Sequence, residues 1–219
     1  MLKNLKITAK MASPVCFSEF LRFDCILSAA VAKELLSENY YVNSKQYENE
    51  ETVIKTLSQF LKFNEKYGVF HASCATAENE FVTCYSKRWN GHCDECVSFK
   101  GKGRPEIDTL RGFFKAYRNS IVYHTLPEIT FYAVGDKEKI SLLLNSYIHY
   151  LGKKSSQGYG QVRSWNIEEI EEDKSIFDGS KLMRFIPASN AKEKASDNLV
   201  EAAVIPPAYR KETVLCYAP

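Results

Sequence analysis

The stretch from residue 128 to residue 170 constrains the fold more than any other. Glu128, Ile129, Thr130, Phe131, Tyr132, Ala133 and Val134 read as a strand, Gly135 and Asp136 as a turn, and residues 137–151 as an amphipathic helix. A basic glycine loop follows, made of Gly152, Lys153, Lys154, Ser155, Ser156, Gln157, Gly158, Tyr159 and Gly160, and it leads into a second strand over residues 161–170. Strand, helix, loop and strand thus succeed one another within about forty residues. Glycine lets a backbone come close to a ligand and lysine supplies charge for phosphate, but the same loop serves equally as a turn with solvated lysines. It is neither a Walker A loop nor a dinucleotide fingerprint, because the required glycine and lysine spacings are missing.

Upstream, residues 5–11 alternate as a half-buried strand that Ser13 and Pro14 end. Residues 24–36 are rich in helix formers and open on Asp24 as an acidic cap. A second helix is predicted over residues 50–63, with Val53, Ile54, Leu57, Phe60 and Leu61 on one face. Residues 68–75 and 80–86 read as two strands with a short polar connection. In order, these elements suggest an α+β fold: a ferredoxin-like (RRM-like) βαββαβ core carrying an insertion. Residues 1–174 form that domain, with the insertion at about 76–127, and residues 175–219 form a C-terminal extension packing on the core.

Composition narrows the function. An apolar fraction of 45% with 26% charged residues is that of a globular chain, and 219 residues suffice for a substantial core. The formal charge of +2 does not mark a bulk polycation, so any nucleic-acid role must rest on local clustering. No apolar run reaches the roughly eighteen residues of a membrane span, and the first residues lack a signal-peptide core; a cytoplasmic protein is expected. Seven cysteines, an odd number, favour reduced thiols or metal ligation over a disulfide scaffold.

Clustering occurs in the middle of the chain. Lys87, Arg88, Lys100, Lys102, Arg104, Arg111, Lys115 and Arg118 are set among Trp89, Phe99, Phe113, Phe114 and Tyr117. Arg111, Lys115 and Arg118 recur at helix-like spacing, consistent with a basic thumb that grips nucleic acid or a neighbouring subunit, or with a solvated face whose phenylalanines enter the core. Cys93 and Cys96 form a Cys-x-x-Cys knuckle, and Cys74 and Cys84 lie on the two preceding strands. Four thiolates so placed could hold one structural zinc; otherwise Cys74 and Cys84 are small buried residues and the knuckle is a surface dithiol. Trp165 is expected in the core.

The residues resemble the RAMP superfamily of CRISPR-associated RNA-binding proteins, whose members place a glycine-rich loop after the second helix of a ferredoxin-like fold. More specifically, the chain resembles the Cas-five-type subunit of type IV CRISPR effector complexes. The resemblance rests on Leu5-Lys-Ile-Thr-Ala-Lys-Met-Ala-Ser-Pro14, Val69-Phe-His-Ala-Ser73, Arg111-Gly-Phe-Phe-Lys-Ala-Tyr117, residues 129–162, Leu182-Met-Arg-Phe-Ile-Pro187 and Cys216-Tyr-Ala-Pro219. It implies a subunit that binds the 5′ end of the guide RNA (crRNA) and caps a filament of backbone subunits, with the large subunit and target DNA as further partners. On that reading Lys153 and Lys154 neutralise phosphates, Ser155 and Ser156 donate hydrogen bonds, Gly158 and Gly160 admit the RNA backbone, and Tyr159 stacks on a base.

Such a role needs no catalytic group, and a non-enzymatic subunit is expected. Some RAMP relatives cut precursor guide RNA with a histidine, for which His71, His92, His124 and His149 are the candidates. His149, one turn from the glycine loop, is the best placed, although a histidine at a helix end also suits the helix dipole. A metal-independent endoribonuclease and a zinc-stabilised protein-interaction module are the alternative readings.

Overall fold

The computed structural model describes residues 1–17, 21–40, 50–78, 80–89, 117–191, 195–206 and 213–219. In chain order, β1 (Lys3–Met11) precedes α1 (Phe23–Leu36), α2 (Glu50–Phe60), the short pair β2 (Phe63–Asn64) and β3 (Val69–Phe70), and the long strands β4 (Phe81–Trp89) and β5 (Tyr117–Thr125). Then come β6 (Glu128–Gly135), α3 (Lys137–Tyr147), β7 (Val162–Glu169), the pair β8 (Phe177–Asp178) and β9 (Lys181–Leu182), and finally β10 (Ile186–Pro187), β11 (Leu199–Ala202) and β12 (Val214–Tyr217). The fold is mixed α and β with small antiparallel sheets. No helix among the described residues is long and apolar enough to cross a membrane.

β1 is the middle strand of its sheet, and its alternate residues Leu5, Ile7 and Ala9 are all fully buried on the face turned to the helices. It pairs antiparallel with β6, Lys3 opposite Gly135 through Lys10 opposite Glu128, and on its other side with β7, Leu5 opposite Glu169. The register on the β7 side shifts between Lys10 and Met11. Ile129, Phe131 and Ala133 join the same face, and Phe23 and Leu27 of α1, Leu57 of α2, and Ile140 and Leu143 of α3 cover it. Each large apolar side chain so buried stabilises the fold by about 1.5–3 kcal/mol before ordering costs. Asp136 caps α3 as its Oδ1 accepts the backbone N–H of Lys139 at 3.0 Å.

Residues 71–76 run along the outer edge of β6. The Ser73 N–H donates to the Tyr132 carbonyl at 2.8 Å, and Thr76 and Thr130 exchange backbone bonds of 2.9 and 2.8 Å. The two strands expected over 68–75 and 80–86 therefore do not pair with each other. The second is β4, whose partner is β5, from Phe81 opposite Thr125 to Trp89 opposite Tyr117. β5 had no counterpart in the sequence reading, and Arg118, expected at helical spacing, stands on it. Its run of Tyr117, Ile121, Val122, Tyr123 and Thr125 has the β-branched and aromatic content of a strand.

Two of the helices end earlier than predicted. α2 stops at Phe60 because the next residues are drawn to β6, the Lys62 N–H donating to the Val134 carbonyl at 2.9 Å. α3 stops at Tyr147, and Tyr150 bridges Gln161 instead. Trp165 packs on the core as expected, half-buried, with its indole N–H on the Ile148 carbonyl at 3.1 Å.

Charged side chains clasp residues 173–185 to this core. Asp24 is not the cap of α1: Arg22 occupies that position, and Asp24 lies buried in the first turn. Its Oδ2 accepts from Arg184 Nη2 at 3.0 Å, with both side chains 1% exposed. Arg184 also donates to the carbonyls of Phe70, Ala72, Phe185 and Val204, so all its hydrogen-bonding directions are used. Nearby, His71 Nδ1 lies 2.8 Å from Asp173 Oδ2 and 3.1 Å from Ser175 Oγ, while Nε2 is 3.2 Å from Asn64 Nδ2. Burial alone would raise the Asp173 carboxyl, but hydrogen bonds from His71 and Ser175 outweigh it and hold it at about 2.

Candidate nucleic-acid interface

The glycine loop is closed by its own backbone. The Leu151 N–H donates to the Gly160 carbonyl at 2.8 Å, the Val162 N–H to that of His149 at 2.9 Å, and Ser155–Gln157 make one tight 3-10 turn. Gly160 has φ +77°, and a Cβ there would fall on the Leu151 carbonyl oxygen; one at Gly152, with φ +78°, would strike that of Cys16. Both glycines thus serve the closure of the loop itself. Gly158, by contrast, faces open space. Gly152, Lys153, Lys154, Ser155, Ser156, Gln157 and Gly158 are all exposed.

Residues 13–16 fasten this loop to the long ribbon. The Lys153 N–H donates to the Cys16 carbonyl at 2.6 Å, the Gly160 N–H to that of Pro14 at 2.7 Å, and the Gln161 N–H to Ser13 Oγ at 2.9 Å. Val15 in turn exchanges backbone bonds of 2.9 and 2.8 Å with His124 on β5. Backbone pairing therefore runs without interruption from β4 through β5 and residues 15–16 to Lys153. Burial pushes the Cys16 thiol up, opposed by the ammonium of Lys154 close by.

Aromatic rings fill the junction. Tyr159 leans on Tyr123, with centroids 5.8 Å apart and planes at 45°, and Tyr123 meets Tyr85 at 6.3 Å. Desolvation and a hydrogen bond with Tyr85 push the Tyr159 phenol up. Phe17 stacks on His124 at 4.0 Å and 9°, and His124 Nδ1 is paired with Glu80. On β5, Arg118 is exposed and its Nε donates to Ser86 Oγ at 2.9 Å across the ribbon. An exposed cationic loop, an aromatic wall and a two-stranded ribbon are thus brought together. Arg111 and Lys115 lie outside the described residues.

Residues 3–218 match the model of the family described as CRISPR type IV associated protein Csf3. The chain belongs to the Csf3 family. That makes it a CRISPR-associated, Cas-five-type subunit of type IV complexes, in agreement with the resemblance read from its motifs. No curated protein matches the chain.

In this Csf3-family chain Cys74 and Cys84 do not share a hairpin, since residues 71–76 pair with β6 and β4 pairs with β5. Cys74 is buried beside Phe185, Cys216 and Ala218, and desolvation pushes its thiol up to about 12. Cys84 is exposed on β4, and Cys93 and Cys96 lie outside the described residues. Among the described residues no group of three or more His, Cys, Asp or Glu is placed to hold a metal ion. Of the histidines, His71 and His124 are engaged with carboxylates, His149 is exposed at the foot of the loop, and His92 is outside the described residues.

Tyr85, Tyr123, Phe17 and Ser13 are absent from the sequence-based site. A signal for the first two exists: Phe81, Thr83 and Tyr85, and Ile121, Tyr123 and Thr125, alternate at the period of a strand.

Proposed function

We propose that this Csf3-family subunit binds the 5′ end of a guide RNA without cutting it and caps one end of the type IV ribonucleoprotein, beside the backbone subunits. The observation that carries the reading is the backbone-pinned loop that holds Lys153 and Lys154 in solvent beside an aromatic-lined ribbon. A phosphate strand laid there meets cations and rings, which is how single-stranded nucleic acid is held without base-specific chemistry. Strand order supports a ferredoxin-like core: β7, β1, β6 and residues 71–76 lie side by side, with helices crossing between strand pairs.

The test is co-expression with the other type IV subunits and a repeat array, followed by sequencing of the RNA retained on purification. A single defined 5′ terminus is expected; absence of RNA counts against the reading. For the isolated chain, Lys153→Ala with Lys154→Ala should weaken single-stranded RNA binding about tenfold at moderate salt and flatten its log–log salt dependence by about 1.4. The melting temperature should not move. An unchanged salt slope would detach the loop from RNA. Cleavage of a repeat-containing RNA that disappears in His149→Ala would instead favour the endonuclease reading.

A further inference from the structure

The ribbon has two unlike faces, and only one of them continues into the glycine loop. Side chains of paired strand residues share a face and alternate along the strand. Thr83 opposes Tyr123 and Tyr85 opposes Ile121, so both tyrosines stand on one face, with Tyr117 farther out on the same side. Because Val15 pairs with His124, Cys16 falls beside Tyr123 and Lys153 beside Cys16. Ile121 and Cys16 are the buried floor of this face, and Tyr159 closes it from the loop. The opposite face carries Val82, Cys84, Ser86, Ser120, Val122 and the exposed Arg118, with His124 already covered by Phe17.

Resting on the RNA reading above, we propose that Tyr85, Tyr123 and Tyr159 form a stacking seat for an unpaired nucleobase, next to the phosphates held at Lys153 and Lys154. Tyr85 is 38% exposed and Tyr117 46%, so the seat opens outward along the ribbon. Tyr85 meets Tyr123 edge-on and Tyr123 meets Tyr159 at a tilt, so the three rings brace one another before any ligand arrives, which lowers the ordering cost of binding. Every base has a π-face, so the seat adds affinity with little base preference.

Charge and stacking leave different signatures, and this separates the seat from the loop. The probe is a fluorescein-labelled single-stranded RNA dodecamer, oligouridine or oligoadenine, titrated against the full chain at several salt concentrations. Tyr85→Leu should weaken both probes about tenfold with the salt slope unchanged, and Tyr85→Phe should stay within about threefold of the native chain. On the native chain, photocrosslinking of a 4-thiouridine probe should map to the peptides of Tyr85, Tyr123 or Tyr159, a readout that requires no substitution. Native-like binding by Tyr85→Leu, a loss that changes the salt slope, or crosslinks confined to Arg118, Ser120 and Val122 on the opposite face would overturn the seat while leaving the lysine loop standing. A native chain that binds neither probe removes both.

Discussion

Two seams join the parts of this molecule, and they treat charge in opposite ways. At the seam between the core and residues 173–185, Arg184 and Asp24 are sealed inside with five hydrogen-bond acceptors arranged around the guanidinium. At the seam between the glycine loop and the ribbon, backbone bonds and tyrosine rings make the join and the lysines stand in water. A buried charge whose partners are all internal holds structure and is closed to a ligand. Exposed lysines on a rigid frame add little to stability and present their charge at the surface.

The strongest way to break the comparison is at the sealed seam. Arg184→Met strands the Asp24 carboxylate and should cost about 3–5 kcal/mol in urea unfolding, whereas Arg184→Met with Asp24→Leu should recover much of that loss. If the single variant is as stable as the native chain, the clasp is not what binds this segment to the core.

Next comes loop closure. Gly160→Ala combines a left-handed backbone with a collision at the Leu151 carbonyl, and should cost at least about 2 kcal/mol and blunt RNA binding. Gly158→Ala carries only the backbone strain, about 1 kcal/mol. Equal denaturation midpoints for the two variants would contradict the different surroundings of these glycines.

Acid sharpens the contrast with the smallest effect. Asp173 titrates at about 2 in the folded chain and near 4 when unfolded, so the unfolded chain takes up its proton first. Its contribution is complete above about pH 4 and is lost as pH falls towards 2. Urea midpoints of the native chain should fall over that window more than those of Asp173→Asn. Parallel curves would show that the pairing with His71 does not matter to stability.

What the sequence disclosed follows physical range. β1, α1, β6, α3 and β7 could be read because their signals are local: alternation in Leu5, Ile7 and Ala9, and the Gly135 and Asp136 turn ahead of α3. Asp24 looked like a cap, but its partner is 160 positions away, and nothing near it announces a buried arginine. The pairing of residues 71–76 with β6, and of β4 with β5, depends on register between distant segments. The lysines of the site stood out in their glycine setting. Tyr85 and Tyr123 did not, since they join that site only after the ribbon has been paired and Val15 has docked on His124.

The middle position of β1 also bears on how the chain comes into being. β1 is flanked by two strands that begin at Glu128 and Val162, so it must wait for most of this chain. Until Glu169 has left the ribosome, Leu5, Ile7 and Ala9 lack the full shelter of the finished sheet. Nascent chains would be vulnerable to misassembly during that interval, and a chaperone's hold on the emerged β1 would help most there.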